Sequence, residues 1–355
     1  MERFAFKRAA TKQALAGAVA LGAIMAAPAK GKADEGGVGF WLPGLYGSLA
    51  ATPLAPGWSE SVLYLHSSLS ASGQVGRARA ITIGRFNPTL NLNIAASVQA
   101  TLDAGAVFLT YVPATPVLGG QASFGLGGIY GRSSASLDAT IFGTLGPIPF
   151  SQSFSINDAR DAFGDLFPQF ALRWNQGVNN WMVYLTGDIP VGAYDPSRLA
   201  NLGIGHGAID GGGGYTYFDP KTGNEFSAVL GFTYNFENTH TQYQTGVDMH
   251  LDWGTSKFVT KELQLGFVGY AFRQVGCDSG AGAKLGCFQA QVFGIGPQIG
   301  YIIPMGDLQG YVNVKGYKEF WAENRASGWN AWLTFAISPA AATASAQPKK
   351  PMFIK

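Results

Sequence analysis

The sequence predicts an all-β chain: a transmembrane, antiparallel, up-and-down β-barrel of twelve to fourteen strands with a plug-like segment ahead of the first strand. Three observations carry this reading. Charged residues are only 13% of the 355, about half the usual share, too few to dress the surface of a soluble domain this size. Glycine is abundant at 49, alongside 24 Phe, 14 Tyr and 8 Trp, a composition that suits outer-membrane barrels. Period-2 alternation recurs between turn signals from Ser59 to Ser338, the signature of strands with unlike faces. Disorder is excluded, because it needs low hydrophobicity and high net charge. A helical membrane protein is disfavoured, since no apolar run of about 18 residues follows the N-terminus. A net charge of +2 gives no footprint for nucleic acid.

The N-terminus reads as a bacterial secretory signal, residues 1–33. Lys7, Arg8 and Lys12 form its positive region, residues 14–29 its apolar run, and cleavage fits after Ala29 or Ala33. Export predicts the outer membrane of a Gram-negative bacterium. Residues 34–58 come next, Gly/Pro-rich and aromatic, without helix or strand period. Fourteen strands ~4.8 Å apart and tilted ~40° would enclose a diameter of about 28 Å. Wall side chains alone cannot fill that, so this segment is expected in the lumen as a plug, the alternative being a disordered periplasmic leader, which its aromatics argue against. There Phe40, Trp41, Leu42, Leu45 and Tyr46 would offer apolar surface to a greasy or aromatic solute.

The barrel is expected over 59–339, followed by a flexible tail, 340–355. Candidate strands are 59–70, 90–102, 106–112, 120–130, 138–152, 166–174, 180–189, 212–218, 225–236, 245–254, 262–272, 290–303, 310–320 and 328–338, with twelve a live alternative to fourteen. The cleanest segment sets Phe226, Ala228, Leu230, Phe232, Tyr234 and Phe236 against Ser227, Val229, Gly231, Thr233 and Asn235. A second sets the apolar Leu90, Leu92, Ile94, Ala96, Val98, Ala100 and Leu102 on one face. Counting back from the last strand, the periplasmic turns are 304–309, 254–261, 219–224 and 175–179, all short, and the outer loops 273–290 and 190–211 are long, as outer-membrane barrels require. Trp174, Trp181, Trp253, Trp321 and Trp329 are placed at strand ends, where interfacial girdles belong.

Candidate chemistry is sparse. Cys277 and Cys287 flank a Gly-rich outer loop and are expected to pair in an oxidising compartment; no metal site is expected, since two thiolates need further ligands. Gly203–Gly207 and Gly211–Gly214 lack the strand and helix of a nucleotide fingerprint and read as a flexible or folded-in loop, and no cofactor is expected. His250 lies between Asp248 and Asp252 on one strand face, so all three point into the lumen. Arg173, Asp188, Asn313, Lys315 and Glu319 also fall on lumen faces, as structural pairs or as a solute path. No Ser elbow motif accompanies the four histidines, so no catalytic residues are assigned.

Glu35-Gly-Gly-Val-Gly-Phe-Trp-Leu-Pro-Gly-Leu-Tyr-Gly-Ser-Leu-Ala50 resembles the N-terminal signature of the outer-membrane proteins grouped with the meta-pathway of phenol degradation. Phe163-Gly-Asp-Leu-Phe-Pro168, Trp174-Asn-Gln-Gly177, the stretch from Gly187 to Gly207, Gly294-Ile-Gly-Pro-Gln-Ile-Gly-Tyr301 and Trp329-Asn-Ala-Trp-Leu-Thr-Phe335 extend the resemblance over nearly the whole mature chain. More distantly the chain is similar to plugged barrels for fatty acids and aromatic hydrocarbons. The resemblance implies a non-enzymatic outer-membrane channel for passive uptake of small hydrophobic or aromatic compounds, with membrane lipid and the barrel-assembly machinery as partners. Assembly would then use an internal signal, 329–337. The rival readings are an adhesin-like structural barrel and, third, a barrel lipase.

Overall fold

The computed structural model describes residues 39–73, 76, 93–145, 148–283 and 286–340. The expected signal peptide, residues 34–38 of the plug-like segment and tail residues 341–355 lie outside them. The described residues form twelve strands: β1 (Gly57–Ser72), β2 (Asn93–Val112), β3 (Gln121–Leu145), β4 (Ile148–Gln176), β5 (Asn179–Asp188), β6 (Ala208–Asp219), β7 (Asn224–Asn235), β8 (Asp248–Phe258), β9 (Leu263–Gln274), β10 (Gln291–Met305), β11 (Leu308–Glu323) and β12 (Ser327–Pro339). Each pairs antiparallel with its sequence neighbours, and β1 pairs with β12 to close the barrel. At the height that all twelve strands share, closure leaves no strand edge unpaired, the condition for crossing a bilayer with strands. Twelve strands narrow the wall to about 24 Å across.

Two of the fourteen expected segments disappear. Residues 90–102 and 106–112 belong to one strand, β2, as far as they are described, and 138–152 straddles the β3–β4 hairpin. Gly105 and Gly131 look like breaks in the sequence but sit mid-strand. At Gly131 a Cβ would meet the Asp103–Ala104 backbone of the neighbouring strand, so this glycine marks close backbone approach, not a turn.

The wall follows the predicted alternation. On β7, Phe226, Phe232 and Tyr234 are exposed while Glu225, Ser227, Val229, Thr233 and Asn235 are buried. Exposed aromatic and aliphatic side chains lie on the outside of every strand but β8, including Val62, Leu109, Phe124, Leu185, Phe267, Ile299 and Leu333. Most connections alternate too. At the end expected to be periplasmic they are 177–178, 220–223, 259–262 and 306–307, with 113–120 between β2 and β3; at the other end 189–207, 236–247 and 275–290 are long, while 324–326 is short. Cys277 and Cys287 form a disulfide in the last of these. The connection 189–207 is folded in: Asp165 on β4 accepts from Gly192 N (2.7 Å) and Ile204 N (2.8 Å). Asp195 within it is held below the usual carboxylate range by the Ser197 hydroxyl and amide.

Among the girdle tryptophans, Trp181 lies against Tyr215 at the short-turn end, ring centroids 4.7 Å apart and planes tilted by 51°, and Trp321 and Trp329 are exposed at the long-loop end. Trp253 is a correction: β8 runs on to Phe258, so Trp253 lies within the strand, over Gly269 of β9, which has no side chain to obstruct it.

Strands β1 to β4 rise above the rest. Beyond Tyr130, β3 continues to Leu145, about 50 Å of strand. There the alternation changes meaning. The apolar stripe Ile94, Ala96, Val98 faces inward, with Leu137, Ala139, Phe154 and Ile156, and packs under Leu199 of the 189–207 connection. Asp158 fixes that connection by accepting from Arg198 (2.5 Å) and from Leu199 N and Ala200 N. The stripe that the sequence sets against an apolar phase thus meets protein, not lipid.

Candidate functional site

Residues 39–56 thread the lumen, and the wall grips their main chain. Asp252 on β8 accepts from Gly44 N (2.9 Å) and Tyr46 N (3.1 Å). Lys315 on β11 donates to three successive carbonyls, Gly44 O (2.5 Å), Leu45 O (3.0 Å) and Tyr46 O (3.3 Å). One turn of chain is therefore held by opposite charges on its N–H and C=O groups. Charge-assisted bonds of this kind are about twice as strong as neutral ones. The turn needs Gly44, whose φ is +91° and where a Cβ would lie 2.9 Å from the Tyr317 ring.

The grip continues along the segment. Gln298 on β10 donates to Ser48 Oγ (2.6 Å), and Glu225 on β7 accepts from Leu49 N (3.0 Å). Thr216 on β6 accepts from Ala51 N (3.0 Å), and Arg173 on β4 donates to Ala50 O (3.5 Å). Six strands thus contribute polar side chains to a stretch of eight residues. This answers the accounting problem of a backbone removed from water without a sheet to pair with.

Above the turn lies an aromatic cluster. Trp41 stacks on His250 with ring centroids 3.6 Å apart and planes 13° from parallel. Tyr46 and Tyr184 complete it, at 5.7 Å and 6.3 Å from Trp41 and 5.5 Å from each other. His250 is oriented from behind: its Nε2 lies 2.8 Å from Asp210 Oδ2 and 3.4 Å from the Tyr184 hydroxyl, and Thr233 donates to the same Asp210 oxygen (2.6 Å). Gly231 faces His250 across the β7–β8 ladder, and any side chain there would strike the Tyr184 hydroxyl and the imidazole. Gly211, expected at the end of an outer loop, joins Gly212–Gly214 inside β6. At Gly212 a Cβ would collide with Tyr184 and the β7 backbone, so bare backbone here leaves room for the cluster.

The structure sorts the predicted residues. Phe40, Trp41, Leu45 and Tyr46 pack against the buried lumen core, with Phe40 reaching Phe167 at 6.0 Å. Asp252, Lys315 and Arg173 meet the segment through its main chain, and His250 through Trp41. Glu319 belongs to a separate network on the β9–β12 side: it accepts from Tyr270 OH (2.8 Å) and Gly328 N, while Asn330 donates to Tyr270 and accepts from Trp332 Nε1. Asn313 donates to Ile299 O within the wall. Asp248 accepts from Asn235 (2.9 Å), away from the turn. Asp188 is buried at the end of β5, beside the folded-in connection. Glu225, Thr216, Gln298, Tyr184 and Asp210 were not predicted. Glu225 shares the parity of Ser227 and was within reach of the alternation argument; Asp210 was hidden by the glycines that follow it.

A search of curated proteins finds no match. Among solved structures, an outer-membrane channel from Pseudomonas putida F1 is similar at 13% identity and a TM-score of 0.58, covering 81% of this chain and 97% of that one. A FadL homologue from Pseudomonas aeruginosa aligns at 9% identity and a TM-score of 0.39, covering 79% and 90%. The fold is that of a Gram-negative outer-membrane β-barrel. The family described as "Putative MetA-pathway of phenol degradation" matches residues 76–335, starting after the 35–50 stretch quoted above, and the chain belongs to that family.

Proposed function

We propose that the protein is a channel for passive uptake of small hydrophobic or aromatic compounds across the outer membrane, with residues 39–56 as its displaceable gate. One observation carries the reading. The lumen holds a chain segment whose side chains are aromatic but whose attachment is polar and made through the main chain. Trp41, Tyr46 and Tyr184 offer ring faces to an apolar solute, and the Asp252–Lys315 grip sets how readily the segment yields. The name of the family and the similarity to an outer-membrane channel support this reading. In it, the buried carboxylates and His250 position the gate, and the chain carries no reaction. Assembly through the internal strand 329–337 belongs to the same proposal.

The test is flux into proteoliposomes of an aromatic probe such as naphthalene against a sugar of similar size. Wild-type protein should pass naphthalene above the rate of empty vesicles and exclude the sugar, and Trp41→Ala should change the naphthalene rate. A sugar-preferring or inert barrel would reject the proposal.

A further inference from the structure

The outside of the β1–β4 extension carries a pattern that transport through the lumen does not use. His66, Asp103, Arg132 and Asp161 stand opposite one another in one register row across four strands. Paired residues share a face, and this one is the outer wall. His66 Nδ1 lies 2.7 Å from Asp103, and Arg132 lies 2.5 Å from Asp161 with both side chains more than half exposed. Immediately below are lipid-facing rings, Tyr64, which donates to Asp103 (2.7 Å), and Tyr130 against Phe163 (4.9 Å), while Trp329 of β12, opposite Ser68, leans on His66 (4.8 Å) from just above the row. The charged row therefore marks the height at which the hydrocarbon ends.

Above that row the outward residues are Ser, Thr, Gln, Asn and Ala. Up to the row Ala95–Thr140–Ser153, Asp138 is the lone charge among the described outward positions of these four strands. A sheet face bathed in bulk water is ordinarily dressed with Lys, Glu and Arg. Here short neutral hydroxyls replace them, and a depression of ≈ 680 Å³ opens among them, its lining including Ser72, Ser97, Asp138 and Ser155. The surface continues the lipid-facing wall without interruption. In the outer leaflet of a Gram-negative membrane, the molecules beside that wall are glycolipids. Their phosphorylated sugars start where the acyl chains end, and their oligosaccharide rises above.

We infer that the outer face of the β1–β4 extension docks lipopolysaccharide. Arg132 meets phosphate as a planar fork, and Asp103 and Asp161 meet it through the divalent cations that the leaflet already carries. The hydroxyl face exchanges hydrogen bonds with the oligosaccharide at little cost in side-chain entropy, since Ser and Thr have few rotamers to lose.

The experiment uses the folded full-length protein in a zwitterionic detergent, titrated with purified lipopolysaccharide and, separately, with lipid A, which lacks the oligosaccharide. Wild-type protein should bind lipopolysaccharide about tenfold more tightly than lipid A. Arg132→Ala should weaken both by about tenfold, the loss of one charge-assisted contact. Ser136→Glu with Ser155→Glu, which sets anionic groups against an anionic glycan, should erase the preference for lipopolysaccharide. Should that pair fail the heat-modifiability check of folding, Ser136→Val with Ser155→Val keeps strand propensity and should erase it too. Equal wild-type affinity for the two ligands, or a folded hydroxyl variant that keeps the preference, overturns the inference.

Discussion

Replacing Lys315 by Met should free the lumenal segment while leaving the barrel intact. Lys315 sends three hydrogen bonds to the carbonyls of residues 44–46 and is buried where it does so. Met keeps the length of the stem and loses the charge and the donors. The docked state then holds the Leu45 and Tyr46 carbonyls without their donor, Gly44 O with only the Tyr317 hydroxyl (3.3 Å), and a buried Asp252 that has lost the Lys315 charge. In the released state, water solvates both Lys315 and the carbonyls, so little is lost there. Removing one partner of a buried charged set costs about 3–5 kcal/mol, which multiplies the released population by roughly 10²–10⁴ at one decade per ~1.4 kcal/mol. Ser48→Cys supplies the reporter, since Ser48 sits against Gln298 and Ser256 in the docked state. The chain's own two cysteines are joined in the Cys277–Cys287 disulfide, so an impermeant maleimide reads position 48 alone. Labelling in proteoliposomes should accelerate strongly in the Lys315→Met background and only slightly with Lys315→Arg. Identical labelling rates in wild-type and Lys315→Met backgrounds, with heat-modifiable barrels in both, would refute the latch.

Gly44→Ala should have a similar effect by sterics, because it brings a Cβ against Tyr317 at a positive φ; increased open-channel conductance is the readout. Gly231→Val should unstack Trp41 from His250, seen as loss of near-ultraviolet circular dichroism with far-ultraviolet signal retained. Phe232→Arg puts a charge on the lipid face at about 2–4 kcal/mol and should reduce the membrane-inserted fraction. Thr233→Ala, one residue away and facing Asp210, should insert normally. Reducing the Cys277–Cys287 bridge should cost about 2–3 kcal/mol locally and leave barrel assembly unchanged, as judged by gel mobility with and without heating.

Alternation made β7 legible to the residue, because its two faces meet lipid and a packed polar lumen, phases that select unlike side chains. It misled at β2, where the same period is imposed by a protein cluster under Leu199; the period reports that an apolar phase exists and not which one. Glycine was the other source of error. A glycine that admits a neighbouring strand is written with the same letter as one that turns the chain, so Gly131 reads as punctuation. At the site, Asp252, His250 and Lys315 meet the segment 39–56. What parity lacked was depth: Asp188, Asp248 and Asp252 share a lumen face, yet only Asp252 stands at the level of the turn. The partners of the grip were hidden for a plainer reason, since main-chain amides and carbonyls leave no trace in composition.

That form of grip separates two properties of the gate that could have been entangled. Asp252, Lys315, Glu225, Thr216 and Arg173 address peptide groups, which are the same whatever residue carries them. The rings at positions 40, 41 and 46 can therefore be exchanged without dismantling what holds them. Preference for one solute over another can drift through those three letters while Gly44 and the main-chain grip keep the force needed to open the lumen in place.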